Sequence, residues 1–310
     1  VILMTTQIQH IPRISVSLPQ VGNTPLLLIK SLSNDKVRIW AKAEWEQPGG
    51  SVKARAAHAI ISKAIRSGKL HSRNSLLDAS SGNTAIAYAT LLKPLGWKPT
   101  ICLPSNASAE RKNILKSLGA ELILTSPLEG TDGAQIVAKE TYAANPDKYF
   151  YADQYSNDAN WQAHYLTTAE EIWTQTKGKI THFVAGLGTT GTFVGTARRL
   201  KELGNVQLIS LQPDHPFHPL EGWKHLATAH RPGIYDDTLA DKTLVIDSSG
   251  VFDMIKSISI HERLFISPSG AANLLGALEV ASQIKEGDIV TTLADTLDRY
   301  QEVRKEIFGT

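Results

Sequence analysis

Cysteine occurs once in the 310 residues, as Cys102. A lone thiol excludes an intrachain disulfide and suits a reducing cytoplasm. Its place in Pro99-Thr100-Ile101-Cys102-Leu103-Pro104 reads as strand packing rather than a catalytic thiol. An excess of one charge is missing too, since 32 basic against 30 acidic residues leave a formal net charge of +2. No basic run or aromatic-interleaved patch marks a nucleic-acid surface. No apolar run approaches the roughly 18 residues of a spanning helix. Val1-Ile2-Leu3-Met4 lacks the long apolar core and cleavage site of a signal peptide, so Met4 is expected to be the natural start and the three residues before it an extension. These absences predict a soluble protein with a small-molecule partner, long enough for a large core and more naturally two domains than one.

What is present is alternation. Strand-like runs fall at 37–44, 75–79, 98–103, 121–125, 148–151, 181–185, 207–212 and 288–293. Helical apolar spacing falls at 55–67, 85–93, 109–118, 133–145, 159–176, 192–203 and 271–285. Such alternation predicts an α/β fold with parallel strands and helices on both faces. Ligands of these sheets gather at the carboxyl ends of the strands, where loops feed helix N-termini. There is no short-period repeat or low-complexity linker, and the chain is expected to cross between its two halves.

Four of these joins carry candidate chemistry. In Gln47-Pro48-Gly49-Gly50-Ser51-Val52-Lys53-Ala54-Arg55, Pro-Gly-Gly punctuates the strand-to-helix join and Ser51 is the expected N-cap. Lys53 then lies in the first helical turn, where the dipole and the unpaired N–H groups disfavour a cation and lower an ammonium pKa. A readily deprotonated lysine suits Schiff-base chemistry, although a lysine read alone is more often a solvated surface charge. Asp78-Ala79-Ser80-Ser81-Gly82-Asn83-Thr84 offers N–H groups and hydroxyls to a carboxylate or phosphate, or is an ordinary cap and turn. Ile266-Ser267-Pro268-Ser269-Gly270 poses the same choice.

The fourth join, Gly186-Leu187-Gly188-Thr189-Thr190-Gly191-Thr192, matches G-x-G-x-x-G after a strand and before a helix. A dinucleotide site would want an acid at the end of the next strand, where Gln212 stands and Asp214 lies beyond Pro213. The threonines fit a cup for a single phosphate better, with a tight turn as the remaining reading. A lysine amine, a phosphate cup and an anion-binding loop together describe a site for a phosphorylated aldehyde beside an amino acid, and pyridoxal phosphate is the candidate.

With Gly22-Asn23-Thr24-Pro25-Leu26 added, these segments occur in the order found in cysteine synthases. The chain resembles that family over nearly its whole length. The resemblance implies a two-domain α/β enzyme of fold type II (the tryptophan-synthase β fold), each domain a mostly parallel twisted sheet with helices on both faces. The larger, cofactor-binding domain would comprise 1–47 and 158–310, and the smaller, mobile substrate domain 48–157. Carried over by position, Lys53 would hold pyridoxal phosphate as a Schiff base and then move the α-proton. Asn83 would meet the ring hydroxyl, Gly188, Thr189, Thr190, Gly191 and Thr192 would cradle the phosphate, and Ser269 would face the ring nitrogen. A neutral hydroxyl there favours β-elimination over transamination or racemisation. Ser80, Ser81, Thr84 and Gln154 would hold the substrate carboxylate.

The implied activity is β-replacement on O-acetylserine or O-phosphoserine, through an aminoacrylate, with sulfide or a thiocarboxylated carrier protein giving L-cysteine. Thr190 stands where many members have glycine, and Ala54 where many have aspartate. With Leu220-Glu221-Gly222-Trp223-Lys224-His225, these departures resemble the branch containing O-phosphoserine sulfhydrylases; Lys224 would then receive a substrate phosphate, or else is a surface charge. The resemblance also implies a cytoplasmic homodimer, and as partners a sulfur carrier protein or the C-terminus of serine acetyltransferase. A cystathionine synthase, or a serine dehydratase or racemase, would use the same lysine; a docking module without catalysis is disfavoured by intact Lys53 and Asn83. Asp214, His215, His218, Glu221, His225 and His230 supply donors for a metal, but their spacing matches no common zinc pattern and no cysteine joins them. A loop at the site mouth is the expectation for that segment.

Overall fold

The computed structural model describes residues 17–80 and 82–309; the expected start at Met4 and the candidate Ser81 lie outside them. Among the described residues ten strands form two sheets. The larger runs β1 (Leu26–Leu28), β2 (Val37–Ala43), β10 (Gly287–Leu293), β7 (Ile180–Gly186), β8 (Gln207–Pro213) and β9 (Lys242–Ile246) in spatial order. Only β1 is antiparallel within it. The smaller is parallel throughout, in the order β5 (Glu121–Thr125), β4 (Thr100–Pro104), β3 (Ser75–Ala79) and β6 (Tyr149–Tyr151). The small sheet therefore comes wholly from residues 75–151, and the large sheet from the chain on either side.

Burial explains which runs sit centrally. From Asp288 to Leu293 every residue of β10 is buried, as a strand packed on both faces requires. On one face of the large sheet lie α8 (Val251–His261) and α9 (Pro268–Gln283), packed on Ile39, Ile209 and Ile289. On the other, Phe183 of β7 stacks on Phe193 of α7 (Gly191–Leu203), ring centroids 6.2 Å apart. The small sheet is covered by α1 (Lys53–Arg66) and α2 (Asn83–Leu92) on one side, and by α4 (Gly130–Ala144) on the other. Short α3 (Ala109–Ser117) and C-terminal α10 (Gln301–Phe308) complete the set with the helix pair described next. No helix among the described residues is long and apolar enough to cross a membrane.

Several expectations are corrected. The helix expected over 159–176 is two helices, α5 (Asp158–Ala163) and α6 (Ala169–Gln175), joined by a π turn at His164–Thr168. There α7 approaches so closely that a Cβ on Gly195 would overlap the Trp161 carbonyl. Ser51 does not cap α1: the N-cap is Val52, without a side-chain bond, and the Ser51 hydroxyl is buried without a partner. The Val52 N–H instead meets the Ala294 carbonyl at 2.9 Å. Strands β1 and β9 and helices α8 and α10 were not anticipated. β1 has three residues, and β9 is an edge strand with one face in solvent. By contrast, α8 places Val251, Met254, Ile255 and Ile258 at helical spacing and was legible.

One buried charge network ties these parts together. Arg55, fully enclosed, donates to Glu44 through Nε at 2.7 Å and Nη2 at 2.8 Å. It also reaches Glu171 of α6 at 2.6 and 2.8 Å. Lys42 of β2 joins at 2.7 Å from Glu171 and 2.8 Å from the Thr24 carbonyl. The Asn23 and Thr24 amides donate to Glu171, and the Thr24 hydroxyl to Glu44. Gly22-Asn23-Thr24 is thus a bracket that closes this network. Burial opposes ionisation of Glu171, but Arg55 and Lys42 prevail and hold its carboxyl at about 2.

Removing one partner of a buried pair leaves the other charge unpaired. Arg55→Ala is therefore expected to lower the unfolding free energy by about 3–5 kcal/mol in urea titration. Because the folded value of Glu171 lies below its free value of 4.5, its contribution is complete above that pH and fades as pH falls through about 2. Arg55→Ala should flatten this acid limb of the stability curve.

Candidate active site

The carboxyl ends of β2, β3, β7 and β10 converge on one cavity of about 430 Å³. Lys53, Asn83, Gln154, Thr190 and Ser269 reach it from five separate segments. Also on its wall are Ser80, Thr84, Gly188, Thr189, Thr192 and Lys224. Of the described candidates only Gly191 is off the wall.

Lys53 is the first residue of α1. Before it, Gly49 and Gly50 take φ of +82° and +66°, a pair of left-handed residues that glycine adopts without strain. The Lys53 ammonium is disfavoured, as expected, but the principal cause is burial in the cavity wall; the charge of Asp295 opposes it. Asp295, fully buried after β10, accepts from Asn83 Nδ2 and Tyr300 Oη, each at 2.7 Å, while its Oδ1 has no partner. Asn83 Oδ1 accepts from Arg299, which also donates to the Gly49 carbonyl. The Asn83 amide is thereby held in one orientation, with one N–H left over.

The cup at the start of α7 is built by close approach. A Cβ on Gly188 would overlap the Gly222 carbonyl, and one on Gly191 the Asn160 amide. Thr190 sits at φ +73° with a buried, unpartnered hydroxyl, a strained non-glycine position of the kind that clusters at ligand sites. Asn160 donates to Thr189 Oγ1 at 3.1 Å, and Thr192 Oγ1 lies 3.3 Å from His164 Nε2. Burial holds His164 far below the usual imidazole range, so it enters this contact neutral.

In the β3–α2 loop, Ser80 Oγ accepts from Gly82 N and Ala85 N at 3.3 and 3.2 Å. Capping and cavity lining are here one role. Thr84 Oγ1 donates to Gln154 Oε1 at 2.7 Å, and Gln154 Nε2 to the Ala79 carbonyl at 2.9 Å. Ser269, in the first turn of α9, lies 3.1 Å from Ser267 Oγ, the N-cap oxygen.

Across the mouth, Lys224 pairs with Asp132 at 2.6 Å and Arg111 pairs bidentately with Glu221. Burial alone would raise the Asp132 carboxyl, yet Lys224 and the His230 N–H bring it below the usual range. The histidine-rich segment 214–230 disperses: His218 lines the cavity, Asp214 binds Ser248 at 2.6 Å, and His225 contacts Thr228.

Sequence reasoning missed Asp295, Arg299, Arg111, Asn160 and His164. Asp295 alone had a signal, because it lies at the carboxyl end of a predicted parallel strand. The others act from remote segments that no local pattern connects.

These residues fit pyridoxal phosphate. An amine whose charge burial disfavours, a cup of close-packed glycines with an orphaned threonine hydroxyl, and a helix N-terminal serine are the donor set it needs. A family model described as "Pyridoxal-phosphate dependent enzyme" matches residues 17–295. The chain is 44% identical over 289 residues to a cysteine synthase of Aquifex aeolicus, covering 90% of this chain and 88% of that one. It is 36% identical to cysteine synthase B of Escherichia coli, with 90% and 92% covered. A crystal structure of cysteine synthase from Entamoeba histolytica superposes with a TM-score of 0.86 at 28% identity, covering 100% of this chain and 94% of that one. An O-acetylserine-dependent cystathionine β-synthase from Helicobacter pylori gives 0.84 at 30% identity, with 91% and 95% covered. The chain belongs to the pyridoxal-phosphate dependent enzymes, in their cysteine synthase group, with the fold of type II and pyridoxal phosphate as its cofactor.

Proposed function

We propose that the protein is a cysteine synthase that replaces the β-oxygen substituent of an O-activated L-serine by sulfur. The observation that carries this reading is the sharing of one cavity by the Lys53 amine, the Gly188–Thr192 cup and the Ser80–Thr84 loop. Bound pyridoxal phosphate supplies the electron sink that acidifies the substrate Cα–H and lets the β-oxygen depart. Lys53 Nζ would anchor the cofactor and later take the Cα proton, burial disfavouring its ammonium form. Gly188, Thr189, Thr190, Gly191 and Thr192 would hold the phosphate at the α7 N-terminus, the spare N–H of Asn83 would serve the ring oxygen, and the neutral Ser269 hydroxyl would serve the ring nitrogen. Ser80, Ser81, Thr84 and Gln154 hold the α-carboxylate. One C–O bond breaks, one C–S bond forms, and the carboxylate or phosphate leaves as an anion.

Residues 48–157 act as a smaller domain that moves against 1–47 and 158–310. The Arg111–Glu221 and Lys224–Asp132 pairs join these parts across the mouth and so exclude water in the closed state. Those pairs also favour O-acetylserine as substrate. Both cations already have carboxylate partners, and a phosphate leaving group would have to displace them; otherwise Lys224 would be its receptor. The active form is a homodimer in the cytoplasm. A groove of about 630 Å³ between α5 and α7, bordered by Trp161, Leu166 and Leu239, offers apolar surface to a second copy. Burial that pushes the Cys102 thiol up to about 12 suits a thiol that stays reduced. Phe217, 92% exposed beside cavity-lining His218, is a foothold for a sulfur carrier or acetyltransferase tail entering the mouth.

Lys53→Ala is expected to abolish cysteine formation and to leave cofactor that gel filtration removes; retained turnover would overturn the assignment. With sulfide present, kcat/KM for O-acetyl-L-serine should exceed that for O-phospho-L-serine by up to about fivefold, the equivalent of one disrupted ion pair of about 1 kcal/mol. The reverse order would give Lys224 its phosphate role.

A further inference from the structure

Asp78 is a buried carboxylate that the chemistry above does not use. It is the penultimate residue of β3, just before the Ser80–Thr84 loop, and is 1% exposed. Three donors converge on it. Its Oδ1 accepts from the Ala79 N–H at 2.9 Å, and its Oδ2 from Tyr88 Oη of α2 at 2.9 Å and from the Gln154 N–H at 3.4 Å. Gln154 in turn bonds both ends of the loop, the Ala79 carbonyl and the Thr84 hydroxyl. A single carboxylate thus sits behind the Gln154 ties to both ends of the loop.

We propose that Asp78 is a positioning residue whose ionised form holds Gln154 and the Ser80–Thr84 loop in the arrangement that binds the substrate α-carboxylate. This rests on the cysteine-synthase reading of that loop.

The reason is the count of lone pairs and protons. An ionised carboxylate accepts all three bonds. Once protonated it must donate one, and the only acceptor among its partners is Tyr88 Oη, which then turns its own proton away. Oδ2 becomes a hydroxyl oxygen facing the Gln154 N–H, the longest and weakest of the three bonds, and Gln154 loses its backbone anchor. The groups facing Asp78 are Tyr88 of α2, Cys102 of β4, Tyr151 of β6, and Asp153 and Tyr155 in the following loop. The phenols and the thiol are all raised by burial and stay neutral around pH 7. Asp153, itself raised mainly by burial, adds negative charge. Burial pushes the Asp78 carboxyl up to about 7, against the bonds from Tyr88 and Ala79. Because its folded value lies above the free value of 3.8, the group disfavours folding increasingly as pH rises towards about 7 and by a constant amount beyond. A loop that needed only a filler would carry asparagine here without that cost.

The test compares the holoenzyme with Asp78→Asn and Tyr88→Phe. For a group titrating near 7, the ionised fraction rises about tenfold between pH 6 and pH 8. KM for the O-activated serine should fall by up to about tenfold over the same range, with kcat following no such trend. Asp78→Asn places an NH₂ or a single acceptor where three bonds are needed, so its KM should be high and flat. Tyr88→Phe removes a donor that favours the charge, and the midpoint should move to higher pH. Amide exchange of segment 79–88, corrected for intrinsic rates, should slow across the same pH interval in the wild type and stay fast in Asp78→Asn. An Asp78→Asn enzyme whose KM tracks the wild type across pH, or a Tyr88→Phe midpoint that does not move, would overturn the proposal; if Asp78→Asn fails to fold, Tyr88→Phe decides. The exchange measurement needs no substrate. An enzyme that turned over neither serine ester would sink the cysteine-synthase reading while still showing whether Asp78 governs the loop.

Discussion

The enclosed Arg55 guanidinium is the constraint on which the rest of this structure depends. It stands two residues after Lys53, on the buried face of the same first helical turn, and is clasped by Glu44 at the end of β2 and Glu171 on α6. A buried ion network adds little net stability, since desolvation offsets most of the attraction. Its value is geometric. Planar bidentate pairing fixes both the distance and the roll of α1 against β2, and the roll of α1 decides where the Lys53 amine points. The Gly22-Asn23-Thr24 segment, which touches no part of the cavity wall, matters because its amides and hydroxyl complete the coordination of the same two carboxylates.

Around that anchor the cavity is assembled from strand ends, and each wall is held by polar contacts of long sequence separation. Asp295 and Arg299 orient Asn83 from more than two hundred residues away. Asn160 steadies Thr189, and neutral His164 steadies Thr192 from the π turn. The π turn lies where α7 packs so closely that a Cβ on Gly195 would overlap the Trp161 carbonyl and the His164 side chain, which sets a backbone irregularity beside the Gly188–Thr192 loop. Preorganisation of this kind is what a site needs if its donors are to cost no rearrangement when charge develops.

Much of this was legible in the sequence. Strands at 75–79 and 121–125 and the helix starts behind the four loops follow from period and punctuation alone, and the ordered motifs led to the family. Local chemistry also gave the direction of the Lys53 shift, although burial rather than the helix terminus is its principal cause. Ser51, chosen as an N-cap on composition, makes no such bond: the N-cap position falls on Val52, and the Ser51 hydroxyl is buried without a partner. The helix over 159–176 read as continuous because side-chain periodicity does not register one wide turn within it.

By itself the sequence determined the alternating α/β order, the residue types in each loop and the presence of an amine, a glycine- and threonine-rich join and hydroxyl-bearing loops. These are local properties, set by side-chain period, backbone freedom and capping chemistry within a few residues. Only the tertiary structure decided that the loops face one another, that Lys224 and Arg111 meet carboxylates rather than open solvent, and that Asp78 and Asp295 stand behind the site. Those outcomes depend on which distant side chains share a desolvated space, and the free energy of a buried charge is set by its neighbours in space, whatever their separation along the chain.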